Sequence, residues 1–172
     1  MKDASQKILE TKFRGKRTLL NYYLAGFVDG EASFSVAIVT HPTQKFGWMI
    51  NPCFQVYQHK NHPEILELYK FVFQGGKIYT KNGTPNVQVF SIDSRRNLIE
   101  KVLPFFDKYP LITKYQTYQA FRDIVLSMEE REHWTVPGFK RLVTLAYSMN
   151  QQGKGRRRTL KEVFATLPKT TS

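Results

Sequence analysis

Two glycines, Gly26 and Gly30, stand four positions apart inside a run from Leu19 to about Ala32, where Leu20, Tyr23, Leu24 and Phe27 recur at helical spacing. Thr18 precedes the run as a candidate N-cap. A glycine in a helix interior costs about 1 kcal/mol relative to alanine, so a chain that keeps two of them has a use for the missing side chains. Close approach of another backbone is such a use, because Ala25 and the two glycines remove the bulk that holds helices apart. With one such segment in the sequence, the simplest source of the facing helix is a second copy of the chain. A two-fold dimer is therefore expected through Leu20, Leu24, Ala25, Gly26, Asp29 and Gly30.

The same helix ends in two acids, Asp29 and Glu31, where the negative pole of the helix dipole disfavours them. Against 26 lysines and arginines the chain carries only 14 acids, a net charge of +12, so acids in this position need a reason. Glu31 continues the stripe Leu20, Leu24, Phe27, and a dimer packed on that side would bring two copies of its carboxylate together. Paired carboxylates repel a phosphate backbone unless a hard cation lies between them. Mg²⁺ takes such oxygen ligands, and two-metal phosphodiester hydrolysis uses the same ingredients. A surface or capping acid remains the simpler alternative for any one glutamate.

The positive charge favours a polyanionic partner, although a basic ribosomal or scaffold protein has the same balance. With 41% hydrophobic and 14% aromatic residues, the 172-residue chain can bury a core, which argues against disorder. The single cysteine, Cys53, excludes an internal disulfide and a zinc finger, pointing to a reducing compartment. No apolar run approaches the roughly 18 to 20 residues that cross a bilayer, and no leader is read at the N-terminus.

After the first helix the period changes from 3.6 to 2. Phe34 to Thr40 alternates, and Trp48 to Gln58 follows beyond a loop at His41 to Gly47. His62-Pro63 opens a helix to Phe73, closed by Gly75-Gly76. Strands at Lys77 to Lys81 and Asn86 to Ile92 flank the hairpin signal Asn82-Gly83-Thr84-Pro85, and Asp93-Ser94 caps a helix reaching Phe106. The C-terminal third predicts helices from Lys114 to about Glu130, from Val136 to about Asn150, and from Thr159 to Leu167. The expected fold is α+β, in the order αββαββα: a four-stranded antiparallel sheet backed by helices, with further helices after it. A basic extension over residues 1–17 is expected to precede one domain over 18–172. Ser33, Ser35, Gln55, Tyr57, Lys81, Asn86 and Gln88 are expected on the open sheet face, which is either merely solvated or a β-ribbon surface for a DNA groove.

Leu24-Ala-Gly-Phe-Val-Asp-Gly-Glu31 resembles the motif of the LAGLIDADG homing endonucleases, with Glu31 where aspartate is usual. The similarity extends from about Asn21 to Thr166 and includes Phe54-Gln-Val-Tyr-Gln58, Leu103-Pro-Phe-Phe106 and the basic stretch Lys154 to Thr159. One motif implies the homodimeric class, a saddle-shaped sheet on DNA, and cleavage of a long pseudo-palindromic site. The resemblance implies that Glu31 and the Gly30 carbonyl bind Mg²⁺, with about two or three cations per dimer active site. By the same likeness Gln58 would order active-site water and Lys114 would organise water or stabilise charge on the scissile phosphate. It also implies contacts to DNA from His62, Asn51 and Tyr79 besides the open-face residues, and phosphate contacts from Lys154, Arg156, Arg157 and Arg158. An intron-encoded origin, in an organelle or a bacterial cytoplasm, is implied as well. An RNA-splicing maturase or a non-cleaving DNA-binding protein on the same scaffold is the alternative reading.

Overall fold

The computed structural model describes residues 4–149 and 158–168. The chain divides into two units, one of Met1–Phe34 and Cys53–Tyr115, the other of Ser35–Pro52 and Gln116–Ser172.

The first unit opens with helix α1 (Ala4–Lys12), in which Ser5 and Leu9 are buried, and continues into the motif helix α2 (Arg17–Glu31). Lys16 precedes the first turn of α2 without a side-chain cap, so Thr18 lies inside the helix instead of capping it. Ala32 begins strand β1 (Ala32–Thr40) with no intervening loop. Strand β2 (Trp48–His59) leads to helix α3 (Glu64–Phe73), whose first turn carries Glu64 and Glu67 and whose last carries Lys70, matching the helix dipole. Ile65, Leu66, Leu68, Tyr69 and Phe73 form its buried side. Gln74 takes the left-handed conformation that ends the helix, and Gly76 (φ +87°) follows because a Cβ there would lie 2.5 Å from the Phe90 ring.

Strands β3 (Lys77–Thr80) and β4 (Val87–Ile92) complete a sheet of order β1-β2-β4-β3, with β4 antiparallel to both its neighbours. The expected single helix after Ser94 is built in three pieces: α4 (Arg95–Asn97), a π-helical turn (Leu98–Val102) and α5 (Leu103–Lys108). Pro104 supplies the reason, since its ring crowds the preceding turn and it has no N–H to donate, and the wider π turn accommodates both defects. The core of this unit is aromatic: the Phe54 ring lies 5.2 Å from Phe34, 5.4 Å from Phe106 and 5.9 Å from Phe73. Such ring pairs add about 0.5–1.5 kcal/mol each beyond their burial.

In the second unit, helices α6 (Tyr115–Glu129), α7 (Val136–Ser148) and α8 (Leu160–Ala165) bury Phe121, Ile124, Phe139, Leu142 and Val163. The hairpin between β1 and β2 joins this core: Trp48 Nε1 donates to Thr166 at 2.8 Å, and Phe46 packs edge-on to Phe139 at 5.4 Å. Thr135 caps α7 through the Gly138 N–H, and Thr159 and Glu162 form a reciprocal capping box on α8. Arg141 gathers Asp123 (2.9 Å), Glu132 (2.6 Å) and Ser127 (2.6 Å).

Register corrects part of the expected open face. Residues directly opposite each other across antiparallel strands point to one side. Gln88 stands opposite Gln58 and Thr80, on the side of Val56 and Phe90, and so does not belong to the face of Gln55 and Tyr57. The β4 positions on that face are Val87, Val89 and Ser91. Asn86 lies ahead of β4, exposed in the turn, its carbonyl accepting from the Lys60 N–H.

Candidate active site and nucleic-acid interface

At the C-terminal end of α2 the main-chain carbonyls have no further helical N–H to accept. Lys114 fills part of this vacancy: its Nζ donates to the Asp29 carbonyl and lies 3.5 Å from that of Gly30. The Asp29 side chain reaches the turn that carries Lys114, one carboxylate oxygen accepting from Ile112 N–H at 2.8 Å and the other from Lys114 N–H at 3.0 Å. The Thr113 hydroxyl adds a bond to the Asp29 carbonyl at 3.2 Å. Partial desolvation pushes the Asp29 pKa up, and the hydrogen bonds from Ile112, Lys114 and Thr113 more than offset it, leaving the carboxyl below its ordinary value.

Glu31 is the exposed acid at this end, and its carboxylate has no hydrogen-bond or ion-pair partner among the described residues. Its carboxylate and the nearby backbone carbonyls are hard oxygen donors that suit a divalent cation. Among the described residues no group of three or more His, Cys, Asp or Glu side chains gathers to hold a metal.

The open face of the sheet carries a directed chain of hydrogen bonds. The Tyr57 hydroxyl donates to Gln55 Oε1 at 2.8 Å, and Gln55 Nε2 donates to the Tyr79 hydroxyl at 2.9 Å. A phenol has one proton, so the 3.3 Å contact between Ser33 and Tyr57 has Ser33 donating. Lys81 lies over the Tyr57 ring with its ammonium 4.9 Å from the centroid. Val89 is flanked on either side by Tyr57 and Tyr79, and is only 1% exposed although it lies on this face. Beside it the Cys53 thiol meets the Ser91 hydroxyl at 3.2 Å, and burial pushes the thiol pKa up.

Several expected site residues are placed otherwise. Leu20, Leu24 and Ala25, expected between two copies, are enclosed by their own chain at 0%, 0% and 3% exposure. The bulk that makes them attractive to a partner makes them more useful to the chain's own core, and Tyr69 reaches in to donate to the Leu24 carbonyl at 2.6 Å. Asp29, also expected at that interface, spends its carboxylate on Ile112 and Lys114. The open side of α2 is instead Leu19, Tyr22, Tyr23, Gly26 and Gly30, and a Cβ built on either glycine meets nothing within 4 Å. Exposed aromatics at the same helical phase as the glycines are the signal that could have found this stripe.

Gln58 turns its side-chain oxygen back onto the His59 N–H at 2.7 Å. His62 is exposed in the turn before α3, and Ser35 and Asn51 are half-buried positions of β1 and β2 in the second unit. Arg158 is exposed and 3.8 Å from Glu162, whereas Lys154, Arg156 and Arg157 lie outside the described residues.

The model of the LAGLIDADG endonuclease family matches residues 24–125. The chain belongs to that family. The match takes in the Asp29 to Glu31 corner, all four strands and Lys114. DNA endonuclease I-CeuI of Chlamydomonas moewusii is 42% identical over 87 residues, 51% of this chain and 40% of that protein. Homing endonuclease I-ApeII of Aeropyrum pernix is 29% identical over 154 residues, 87% of this chain and 91% of that one. Among solved structures, the archaeal intron-encoded homing endonuclease I-Vdi141I complexed with DNA superposes with a TM-score of 0.81 at 31% identity, over 88% of this chain and 96% of that chain. I-SmaMI bound to uncleaved DNA target in the presence of calcium ions gives a TM-score of 0.75 at 32% identity, over 84% of this chain but only 48% of that one. This chain thus spans nearly all of some family members and less than half of others.

Proposed function

We propose that this protein is a site-specific homing endonuclease that makes a double-strand break in a long pseudo-palindromic DNA target as a homodimer, by metal-dependent phosphodiester hydrolysis. The observation that carries the reading is the corner of α2, where Lys114 sits on the Asp29 and Gly30 carbonyls immediately before the exposed Glu31. An ammonium and an acid at one helix end can hold a phosphate and the cation that neutralises it. Glu31 and the Gly30 carbonyl would hold Mg²⁺, which when bound lowers the pKa of water and stabilises a leaving oxygen. Lys114 supplies positive charge beside the scissile phosphate, and Gln58 orients water through its free amide N–H groups.

The single carboxylate per chain is why two copies are needed: a second chain would bring its own Glu31 to the shared cation. Glycines with open space beside them on α2 are where the second helix would approach. That the fold of this chain covers about half of I-SmaMI fits the same arithmetic. Ser33, Gln55, Tyr57, Tyr79 and Lys81 offer hydroxyl, amide and ammonium groups to base edges, and a charge of +12 supplies the phosphate attraction. Intron-encoded relatives fit expression in an organelle or a prokaryotic cytoplasm.

The test is cleavage of plasmid carrying a library of randomised sites, with Mg²⁺ and with a chelator. Linear product that needs Mg²⁺, from sites with a palindromic consensus, is the expected result. Binding without cutting at any metal concentration would overturn the nuclease reading.

A further inference from the structure

We infer that Asp29 is a positioning residue for Lys114, gripping it at both ends so that the ammonium is delivered to the Glu31 corner; the inference rests on the endonuclease reading for its role in the reaction. A lysine on a flexible four-carbon stem is poorly placed by itself. Here the main-chain N–H of Lys114 is held at 3.0 Å by the Asp29 carboxylate, while its Nζ is held by the Asp29 main-chain carbonyl. One residue therefore sets where the stem starts and where it finishes. The second carboxylate oxygen holds Ile112 N–H at 2.8 Å, and the Thr113 hydroxyl returns a bond at 3.2 Å, so the whole turn from Ile112 to Lys114 is fastened to the last turn of α2.

This also explains why an acid tolerates the negative pole of its own helix. The carboxylate of Asp29 is turned toward N–H groups that lead into α6, each oxygen accepting from one of them, whereas Glu31 at the same end is exposed and bonds to none of the described residues. The two acids of the motif thus have separate work: Glu31 faces outward, and Asp29 sets the lysine.

Asp29→Asn tests this, because an amide keeps the shape but replaces one acceptor oxygen with a donor that faces another N–H. On a site recovered by cleavage selection, single-turnover cutting by Asp29→Asn should fall about 100-fold, the size expected of a misplaced group about 1 Å from its proper position. Duplex binding should stay within about threefold, and adding Asp29→Asn to Lys114→Met should slow cutting by no more than about threefold beyond Lys114→Met alone, since residues acting as one unit are not additive. Losses that multiply in the double variant, an unchanged rate, or binding that weakens in step with the rate would each overturn the assignment. Amide exchange at Ile112 and Lys114, expected to quicken in Asp29→Asn, reads the grip without any cutting; unchanged exchange would refute it. A chain that cuts no site at all would end the endonuclease reading, while the exchange measurement would still decide whether Asp29 holds the turn. Should Asp29→Asn not fold, Thr113→Val loosens the same turn by one bond and should lower the cutting rate with duplex binding retained, and an unchanged rate would count against the assignment.

Discussion

Glu31→Gln removes a charge and keeps a length, so it separates chelation from folding. Cleavage is expected to drop below detection while duplex affinity stays within about threefold, measured by plasmid linearisation beside a binding titration. Retained cutting would take Glu31 out of the site. Glu31 stands out in the sequence because an acid at the wrong pole of a helix, in a chain of net charge +12, has no comfortable local explanation. The task of Asp29 was not legible, because its partners Ile112 and Lys114 lie 83 and 85 residues downstream and no local pattern links them. The face of Gln88 is hidden in the sequence for a smaller reason. Two polar residues in alternation look alike whichever face they occupy, and only the pairing with Gln58 settles the phase.

The two sides of helix α2 differ in what covers them. Leu20, Leu24 and Val28 are fully enclosed, whereas the side bearing Tyr22, Tyr23, Gly26 and Gly30 is open. A Cβ added at Gly26 meets nothing within 4 Å in its own chain and the position is exposed, so Gly26→Leu should fold normally and gain about 0.5–1 kcal/mol of helix propensity. The same side chain would hold a second helix away. A raised thermal midpoint with loss of the dimer by sedimentation is the expected pair of results, and a dimer that survives the leucine would show that the copies meet elsewhere. Periodicity located this helix to within a few residues, as it did the four strands. Which of its faces turns inward is not given by the glycines, because burial follows apolar bulk, and Leu20, Leu24 and Ala25 belong to the core instead of the expected interface. The π turn before Pro104 was equally out of reach, since proline marks a helix fault without naming the form it takes.

On the scale of the whole molecule, charge and acid sensitivity belong together. In the second unit, hydrogen bonds from Arg141 hold Asp123 and Glu132 below the ordinary carboxylate value. Acids depressed in the folded state stabilise it above their unfolded pKa, about 4, and that contribution fades as the pH falls through their lowered values. The thermal midpoint should therefore decline below about pH 4, and Arg141→Met should flatten that decline as well as lower the midpoint at neutral pH. An unchanged slope would mean that the pairing is too screened by solvent to matter. Order of elements and fold class could be read from periodicity because each short-range choice agrees with the final arrangement. The chain of contacts from Ser33 through Tyr57 and Gln55 to Tyr79 could not, since it runs from β1 through β2 and across β4 to β3 and needs all four strands in register. For a protein that meets a double helix with this face, those four side chains share protons and cannot be exchanged singly without disturbing the others. Neighbouring letters of its target would then be read as a word, and any redesign of its preference would have to replace the group as a block.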